Sequence, residues 1–258
     1  MSKKLVLALL LIPVLFLAGC GGSKEETKTE TPAATPAASA PPIDEANAGT
    51  ITGKVSFTGA TPVMKNISMD ATPACARQHS TPPKSEEVAL NADGTLKNVF
   101  VWVKAGVAER QWPMPSTTPV LDQHTCVYQP HVLGVMVNQE IEIRNSDPTN
   151  HNVHPLPKVN REWNESQAPK SDPKRKSFPR EEIMIAVKCN VHPWMRSYIG
   201  VVNHPFFAVT GADGAFSIKG LPPGDYTVEA WHEKLGAQEA KVTVGAKESK
   251  TADFNFKG

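Results

Sequence analysis

Three soft metal donors lie within seven residues of this chain, in the stretch Lys188-Cys189-Asn190-Val191-His192-Pro193-Trp194-Met195. A thiolate, an imidazole and a thioether together favour copper over magnesium or calcium, which prefer oxygen ligands. Seven residues are about the length of one loop, and apolar runs that are typical of strands lie on either side of it. The stretch therefore predicts a strand–loop–strand unit whose loop binds metal.

A second imidazole is offered 38 residues upstream of Cys189 by His151, in the stretch Asn150-His151-Asn152-Val153-His154. Two histidines, one cysteine and a weak axial methionine are the donors of blue-copper electron-transfer sites. In such a site the imidazoles and the thiolate form a trigonal plane, and a long bond to methionine sets the potential. The sequence therefore predicts a site for one copper ion, with four ligands: His151, Cys189, His192 and Met195.

The region that follows the N-terminal segments is predicted to be all-β. Short runs of Val, Ile, Thr and Phe alternate with Gly and Pro, and no long stretch shows apolar residues at helical spacing. Strands are predicted over Thr50–Phe57, Met64–Asp70, Val99–Val103, Ile183–Val187 and Tyr198–Val202. The segment between His154 and Phe178 is polar and interrupted by prolines, which predicts a long surface loop.

The two ligand stretches resemble the copper-binding loops of cupredoxins, and the short Cys-x-x-His-x-x-Met loop is most similar to that of amicyanin. The resemblance implies a cupredoxin-like Greek-key sandwich with one type 1 copper on the four ligands named above. It also implies that Asn152 braces the ligand loop and that His154 is not a ligand, although its chemistry would allow coordination. Because the loop should lie at the end of its domain, the imidazole of His192 is expected to be the electron port.

Other interpretations of the site are weaker. Zinc would prefer cysteine or histidine in the place of Met195, and a buried free Cys189 beside surface histidines would leave two matched motifs unexplained. The sequence has no Gly-x-Ser-x-Gly elbow for Ser-His-Asp catalysis. With Met195 on the axial side, no open coordination position is expected, so the chain is not expected to be an enzyme.

The sequence pattern changes in the C-terminal part. From Phe207 to Val244, predicted strands and turns alternate with little loop between them. Its turns, Asp213-Gly214 and Leu221-Pro222-Pro223-Gly224, resemble those of the carboxypeptidase regulatory-like (transthyretin-like) sandwich, which shares the carbohydrate-binding-like fold. Residues 204–258 are therefore expected to form a second, smaller sandwich, and residues 49–203 a cupredoxin-like domain. That family usually opens with a strand like Thr52–Val55, so the cupredoxin-like region is either a separate domain or an insertion behind that strand.

The N-terminus predicts export and a lipid anchor. Lys3 and Lys4 precede a short apolar run and small residues, as in a secretory signal. The sequence Leu-Ala-Gly-Cys ending at Cys20 resembles the bacterial lipobox, which implies a signal peptide over residues 1–19 and a lipid on Cys20. Residues 20–48 hold few apolar side chains and predict a disordered tether. The expected location is the cell envelope, on the periplasmic side of the outer membrane if the host is Gram-negative.

Two further cysteines, Cys75 and Cys126, have two interpretations. They form either one disulfide or, with neighbouring histidines, a second metal site. The disulfide is favoured because disulfides persist in exported proteins.

Charge gives little indication of partners. The full chain has a net charge of +1, and loss of Lys3 and Lys4 leaves 25 basic against 26 acidic residues. Such a balance gives no support for a nucleic-acid partner. A basic cluster, Lys174-Arg175-Lys176 with Arg180, is either a solvated face or a docking site for an acidic redox partner.

The function expected from these features is that of a lipid-anchored single-electron carrier, cycling Cu(I) and Cu(II) between unidentified redox proteins. One alternative is a non-redox binding module, which stores or delivers copper or binds carbohydrate through the C-terminal sandwich. The carbohydrate alternative rests on analogy of fold alone. A third is a structural envelope lipoprotein with a vestigial metal loop.

Overall fold

The computed structural model describes residues 42–258; the predicted signal peptide, Cys20 and residues 20–41 of the predicted tether lie outside this range. Residues 42–48 contain a turn at 45–47, and Ile43 packs against a hydrophobic core. These seven residues therefore belong to the folded part of the chain. No helix in the described part is long and apolar enough to cross a membrane.

The fold is all-β, as the sequence predicts, and residues 42–258 contain one four-residue helix. The first half contains β1 (Gly49–Thr58), α1 (Pro73–Ala76), β2 (Phe100–Ala105), β3 (Val120–His124), β4 (Val127–Gln129), β5 (Val132–Met136), β6 (Ile141–Asn145) and β7 (His151–Leu156). The second half contains β8 (Glu165–Gln167), β9 (Lys174–Lys176), β10 (Glu182–Lys188), β11 (Arg196–Val202), β12 (Phe207–Val209), β13 (Ala215–Leu221), β14 (Gly224–His232), β15 (Gly236–Val244), β16 (Ser249–Thr251) and β17 (Phe254–Lys257).

One sandwich combines the C-terminal strands with two strands from the beginning of the described chain. Its first sheet has the order β13-β1-β16, with β17 also paired to β1, and its second has the order β12-β2-β14-β15. β1 runs antiparallel to β13 and parallel to β16 and β17. Apolar side chains from both sheets, such as Ile51, Val101 and Phe256, form its core. The strand around Thr52–Val55 thus pairs with the C-terminal strands.

The chain between β2 and β12 forms a second sandwich, inserted into the first. Its sheets have the orders β5-β11-β10-β7-β8 and β4-β3-β6-β9, and they enclose a core that includes Leu121, Ile143 and Val187. β10 and β11 form an antiparallel hairpin whose connection is the candidate ligand loop. β7 pairs with the other edge of β10, with His154 opposite Lys188. This pairing brings the start of β7 to the same end as the loop.

The two sandwiches share a packed junction. Phe100 and Trp102 on β2 lie in one cluster with Val132, Met184 and Val202 of the insertion. The β11 glycine at position 200 allows this approach, because a Cβ there would lie 2.6 Å from the ring of Phe100. The inserted sandwich is therefore held against the first one by side-chain packing.

Two local predictions differ from the structure. Met64–Asp70 is not a strand and contributes only an isolated bridge between Asn66 and Lys84. The predicted loop between His154 and Phe178 contains β8 and β9, which extend the edges of the two sheets of the insertion. Strands of three residues are too short for an alternating pattern to be read from sequence.

Candidate metal centre

Three of the predicted ligands converge on one point. His151 begins β7, Cys189 follows β10 and His192 lies in the loop, and their ligand atoms all lie within 4.8 Å of one another. The two Nδ1 atoms are 2.8 Å apart, and Cys189 Sγ is 3.9 Å from His192 Nδ1. All three side chains are buried. Two imidazole nitrogens and one sulfur therefore converge on a single buried position.

Hydrogen bonds within the loop hold this arrangement. The N–H of Met195 donates to the carbonyl of His192 at 3.0 Å, and the N–H of Cys189 donates to the carbonyl of Met195 at 3.2 Å. Met195 is fully buried and packs in the same core cluster as Cys189. The backbone bonds therefore close the loop on itself, with the Met195 side chain buried in the core.

Asn152 ties β7 to the ligand loop. Its Oδ1 accepts a hydrogen bond from the N–H of Asn190 at 2.7 Å and lies 3.3 Å from Cys189 Sγ. The hydroxyl of Tyr128 donates to the backbone carbonyl of Asn152 at 2.5 Å. These contacts hold the sulfur of Cys189 in place between two strands that are distant in sequence.

Asp147 is a site residue that the sequence reasoning missed. Its buried carboxylate accepts a hydrogen bond from His151 Nε2 at 2.8 Å and two more from the N–H groups of Thr125 and Cys126, each at 2.7 Å. Burial disfavours its charge, but these hydrogen bonds outweigh burial and lower the pKa of Asp147. A carboxylate in this position keeps a proton on Nε2 and leaves Nδ1 of His151 as the nitrogen that can bind metal.

The three converging donors differ in the direction of their pKa shifts. Burial raises the pKa of Cys189, but hydrogen bonds from His151 and from loop N–H groups outweigh it, so the net shift is downwards. Burial and then the charge of His151 lower the pKa of His192 to about 4. His151 shows the opposite net shift: burial lowers its pKa, but Asp147 and Cys189 raise it more. The two Nδ1 atoms are close enough to share one proton. Because a metal binds only deprotonated nitrogen, its binding would displace that proton.

A disulfide covers the site. Cys75 and Cys126 are bonded, with their Cα atoms 5.6 Å apart, so the alternative of a second Cys/His metal site on these cysteines is not the arrangement formed. Cys75 Sγ lies 3.8 Å from His192 Nε2. Trp194 packs on His192 with ring centroids 5.0 Å apart, and its Nε1 donates to the carbonyl of Cys126 at 2.9 Å.

His192 is consequently only 2% exposed, so the imidazole that is expected from sequence to be the electron port lies below the surface. Trp194 of the loop contributes to this burial, and the other covering group, Cys75, comes from α1. The pairing of Cys75 with Cys126 places that segment over the loop.

Two other groups predicted from sequence lie outside the centre. His154 contacts Asn190 Oδ1 through Nδ1 at 3.1 Å and Glu162 through Nε2, and it is not among the converging donors. The basic cluster on β9 is ion-paired: Lys174 and Lys176 contact Glu165, and Arg175 contacts two further glutamates.

The donor set fits copper. A thiolate and two imidazoles converge, the thioether of Met195 lies in the same core cluster as Cys189, and the carboxylate of Asp147 contacts the far side of His151. Soft sulfur and imidazole donors in this number select copper over the metals that prefer oxygen.

Comparison with known proteins gives one family match and several structural likenesses. Residues 200–257 match the carboxypeptidase regulatory-like domain, in agreement with the prediction for the C-terminal sandwich. No curated protein matches the chain.

Among solved structures, a copper-containing nitrite reductase from Thermus scotoductus SA-01 is 17% identical over 38% of this chain, with a TM-score of 0.31, and only 24% of that enzyme is covered. A purple cupredoxin from Nitrosopumilus maritimus is 18% identical, with 32% of this chain and 98% of that chain covered and a TM-score of 0.28. An oxidised amicyanin variant is 19% identical, with 39% and 97% covered and a TM-score of 0.30. TM-scores this low say nothing about what the chain does.

Proposed function

We propose that this protein is a copper-binding single-electron carrier whose one copper ion is held by His151, Cys189, His192 and Met195. The observation that carries the proposal is the convergence of two Nδ1 atoms and one sulfur within 4.8 Å in a buried position. When bound there, copper would supply a Cu(I)/Cu(II) couple, and Met195 would add a thioether to the two imidazoles and the thiolate.

The residues of the chain would prepare the site for electron exchange. Asp147 keeps the proton of His151 on Nε2, and Asn152 holds the loop against β7. The disulfide and Trp194 exclude water from the edge of His192. Because these contacts exist within the protein itself, the ligands are held in one geometry, and little rearrangement would accompany a change of charge.

We propose further that the protein is exported, carries lipid on Cys20 and works in the cell envelope with redox proteins as partners rather than on a substrate of its own. The Cys75–Cys126 disulfide fits an oxidising compartment. Mass spectrometry of the protein from a bacterial membrane fraction would test the anchor, with Cys20→Ser as the matched variant that should lose the lipid.

Addition of Cu(II) to the purified protein tests the copper proposal. An intense visible band that bleaches with ascorbate is expected, and it should be absent from Cys189→Ser. Cys189→Ser that keeps the band would remove Cys189 from the site. A colourless protein that binds Cu(I) tightly would replace electron transfer by storage or delivery, and retention on glycan resins without metal would favour the C-terminal sandwich as a carbohydrate-binding module.

A further inference from the structure

The ligand loop has one exposed surface, which we call the loop face and define as Lys188, Asn190, Val191, Pro193 and Arg196. All five are exposed, and Val191 is 53% exposed although it is apolar. The disulfide and Trp194 cover the edge of His192, so the surface beside that imidazole is occupied by the chain itself. The loop face is where the ligand loop remains open to a partner.

The loop face carries two uncompensated cations. Lys188 and Arg196 are directly opposite each other in the β10–β11 hairpin. Like charges in this position are destabilising, and neither residue takes part in any ion pair found among residues 42–258. The basic residues on β9 differ, because glutamates neutralise them. Because no acidic side chain of the described residues neutralises this unfavourable pair, its charges are available to a binding partner.

A cleft at the loop face is lined in part by Cys189, a proposed copper ligand whose side chain is buried. The cleft has a volume of about 540 Å³, and Leu156, Tyr198 and the two cations also line it. No acidic side chain is among the described residues that line it. Glu162, which contacts the neighbouring His154, is engaged by that imidazole. The cleft therefore combines an apolar floor, a positive rim and a covered sulfur.

We propose that the loop face is the docking surface for a redox partner protein whose contact area is apolar at its centre and acidic at its edge, and that electrons pass through Cys189. The inference rests on the proposed function. Val191 and Pro193 supply the apolar contact, while Lys188 and Arg196 attract the acidic edge. Such charges chiefly raise the association rate and lose their effect as salt is added.

The surface is tested first without copper. Hexacyanochromate(III), a paramagnetic trianion, is added to the copper-free protein, and broadening of backbone amide NMR signals is recorded. Broadening should concentrate at the backbone amides of the loop face, those of Lys188, Asn190, Val191 and Arg196, and disappear in the variant Lys188→Glu/Arg196→Glu. The control Lys219→Glu, which reverses an exposed lysine on β13, should leave the pattern unchanged.

Electron exchange is tested next with the copper-loaded protein. Hexacyanoferrate(III) takes one electron from the Cu(I) form, which yields hexacyanoferrate(II) and the Cu(II) form. At low salt the double reversal should slow this reaction about tenfold. It should accelerate oxidation of the Cu(I) form by tris(1,10-phenanthroline)cobalt(III), a trication that is reduced to its cobalt(II) complex, and both effects should shrink at high salt. An unchanged visible band in the variant shows that the copper site is intact.

The outcomes separate the two proposals. Broadening centred on Trp194 instead of the loop face, or rates that do not respond to the double reversal, would overturn the docking surface while leaving the copper carrier standing. Absence of copper binding would overturn the proposed electron carrier. It would also overturn the redox role of the docking surface, even if hexacyanochromate(III) binds to the loop face.

Discussion

Cys75 Sγ lies 3.8 Å from His192 Nε2, so a disulfide covers the imidazole edge that faces away from the other two donors. Removal of the disulfide by Cys75→Ala/Cys126→Ala should lower the free energy of unfolding by about 2–5 kcal/mol, because the unfolded chain is no longer cross-linked. It should also expose the imidazole of His192 to solvent. Urea unfolding and modification of His192 by diethylpyrocarbonate in the copper-free protein measure the two effects. An imidazole that stays unreactive in the variant would show that other groups cover it.

Replacement of Asp147 should weaken copper binding. In Asp147→Asn the amide no longer supplies the negative charge that His151 Nε2 and two backbone N–H groups contact. Loss of such a partner of a ligand typically costs about 10–100-fold in metal affinity. Competition with a Cu(I) chelator measures the change. Asp172→Asn, at an exposed position, is the matched control, and equal affinities for the two variants would remove Asp147 from this role.

Met195→Leu tests whether the thioether of Met195 is a copper ligand. The volume is nearly conserved, so the loss of stability should stay below about 1.5 kcal/mol. If the thioether binds copper, its removal disfavours Cu(II) more than Cu(I), and the reduction potential should rise while the copper is retained. Voltammetry measures the potential. The same substitution at Met136, which packs in the core of the other sandwich, is the control. Identical potentials for both variants would mean that Met195 is not a ligand.

His232 should make stability depend on pH. It is 2% exposed, its Nδ1 accepts the N–H groups of Lys234 and Leu235, and burial lowers its pKa to about 4. Between the ordinary value of 6.5 and about 4, the unfolded state binds the proton and the folded state does not, so the free energy of unfolding falls as the pH falls.

His232→Asn keeps an acceptor for the two N–H groups but cannot titrate. Urea unfolding of the copper-free protein at several pH values should show a smaller slope for this variant than for wild type. The control His124→Asn, at an exposed position, should retain the wild-type slope. Parallel slopes for wild type and His232→Asn would contradict the prediction.

Much of the architecture follows from local sequence. The strands that flank the ligand loop were predicted within two residues of their ends, since their apolar runs are long enough to read. The C-terminal sandwich was recognised from its turns, and the family match agrees. The short edge strands β8 and β9 were missed because three residues carry no pattern, and Met64–Asp70 was predicted as a strand although no strand pairs with it.

The sequence by itself determined which donors are close in the chain: Cys189, His192 and Met195 share a loop whose length alone keeps them together. Only the tertiary structure decided what surrounds them. Asp147 accepts the N–H groups of Thr125 and Cys126 from the β3–β4 turn, Cys75 covers His192 through a bond that spans 51 residues, and β1 pairs with the C-terminal strands across the insertion. Such contacts join residues that are far apart in the sequence. Because the entropic cost of closing a long loop grows only slowly with its length, the spacing of two residues along the chain does not indicate whether they will meet.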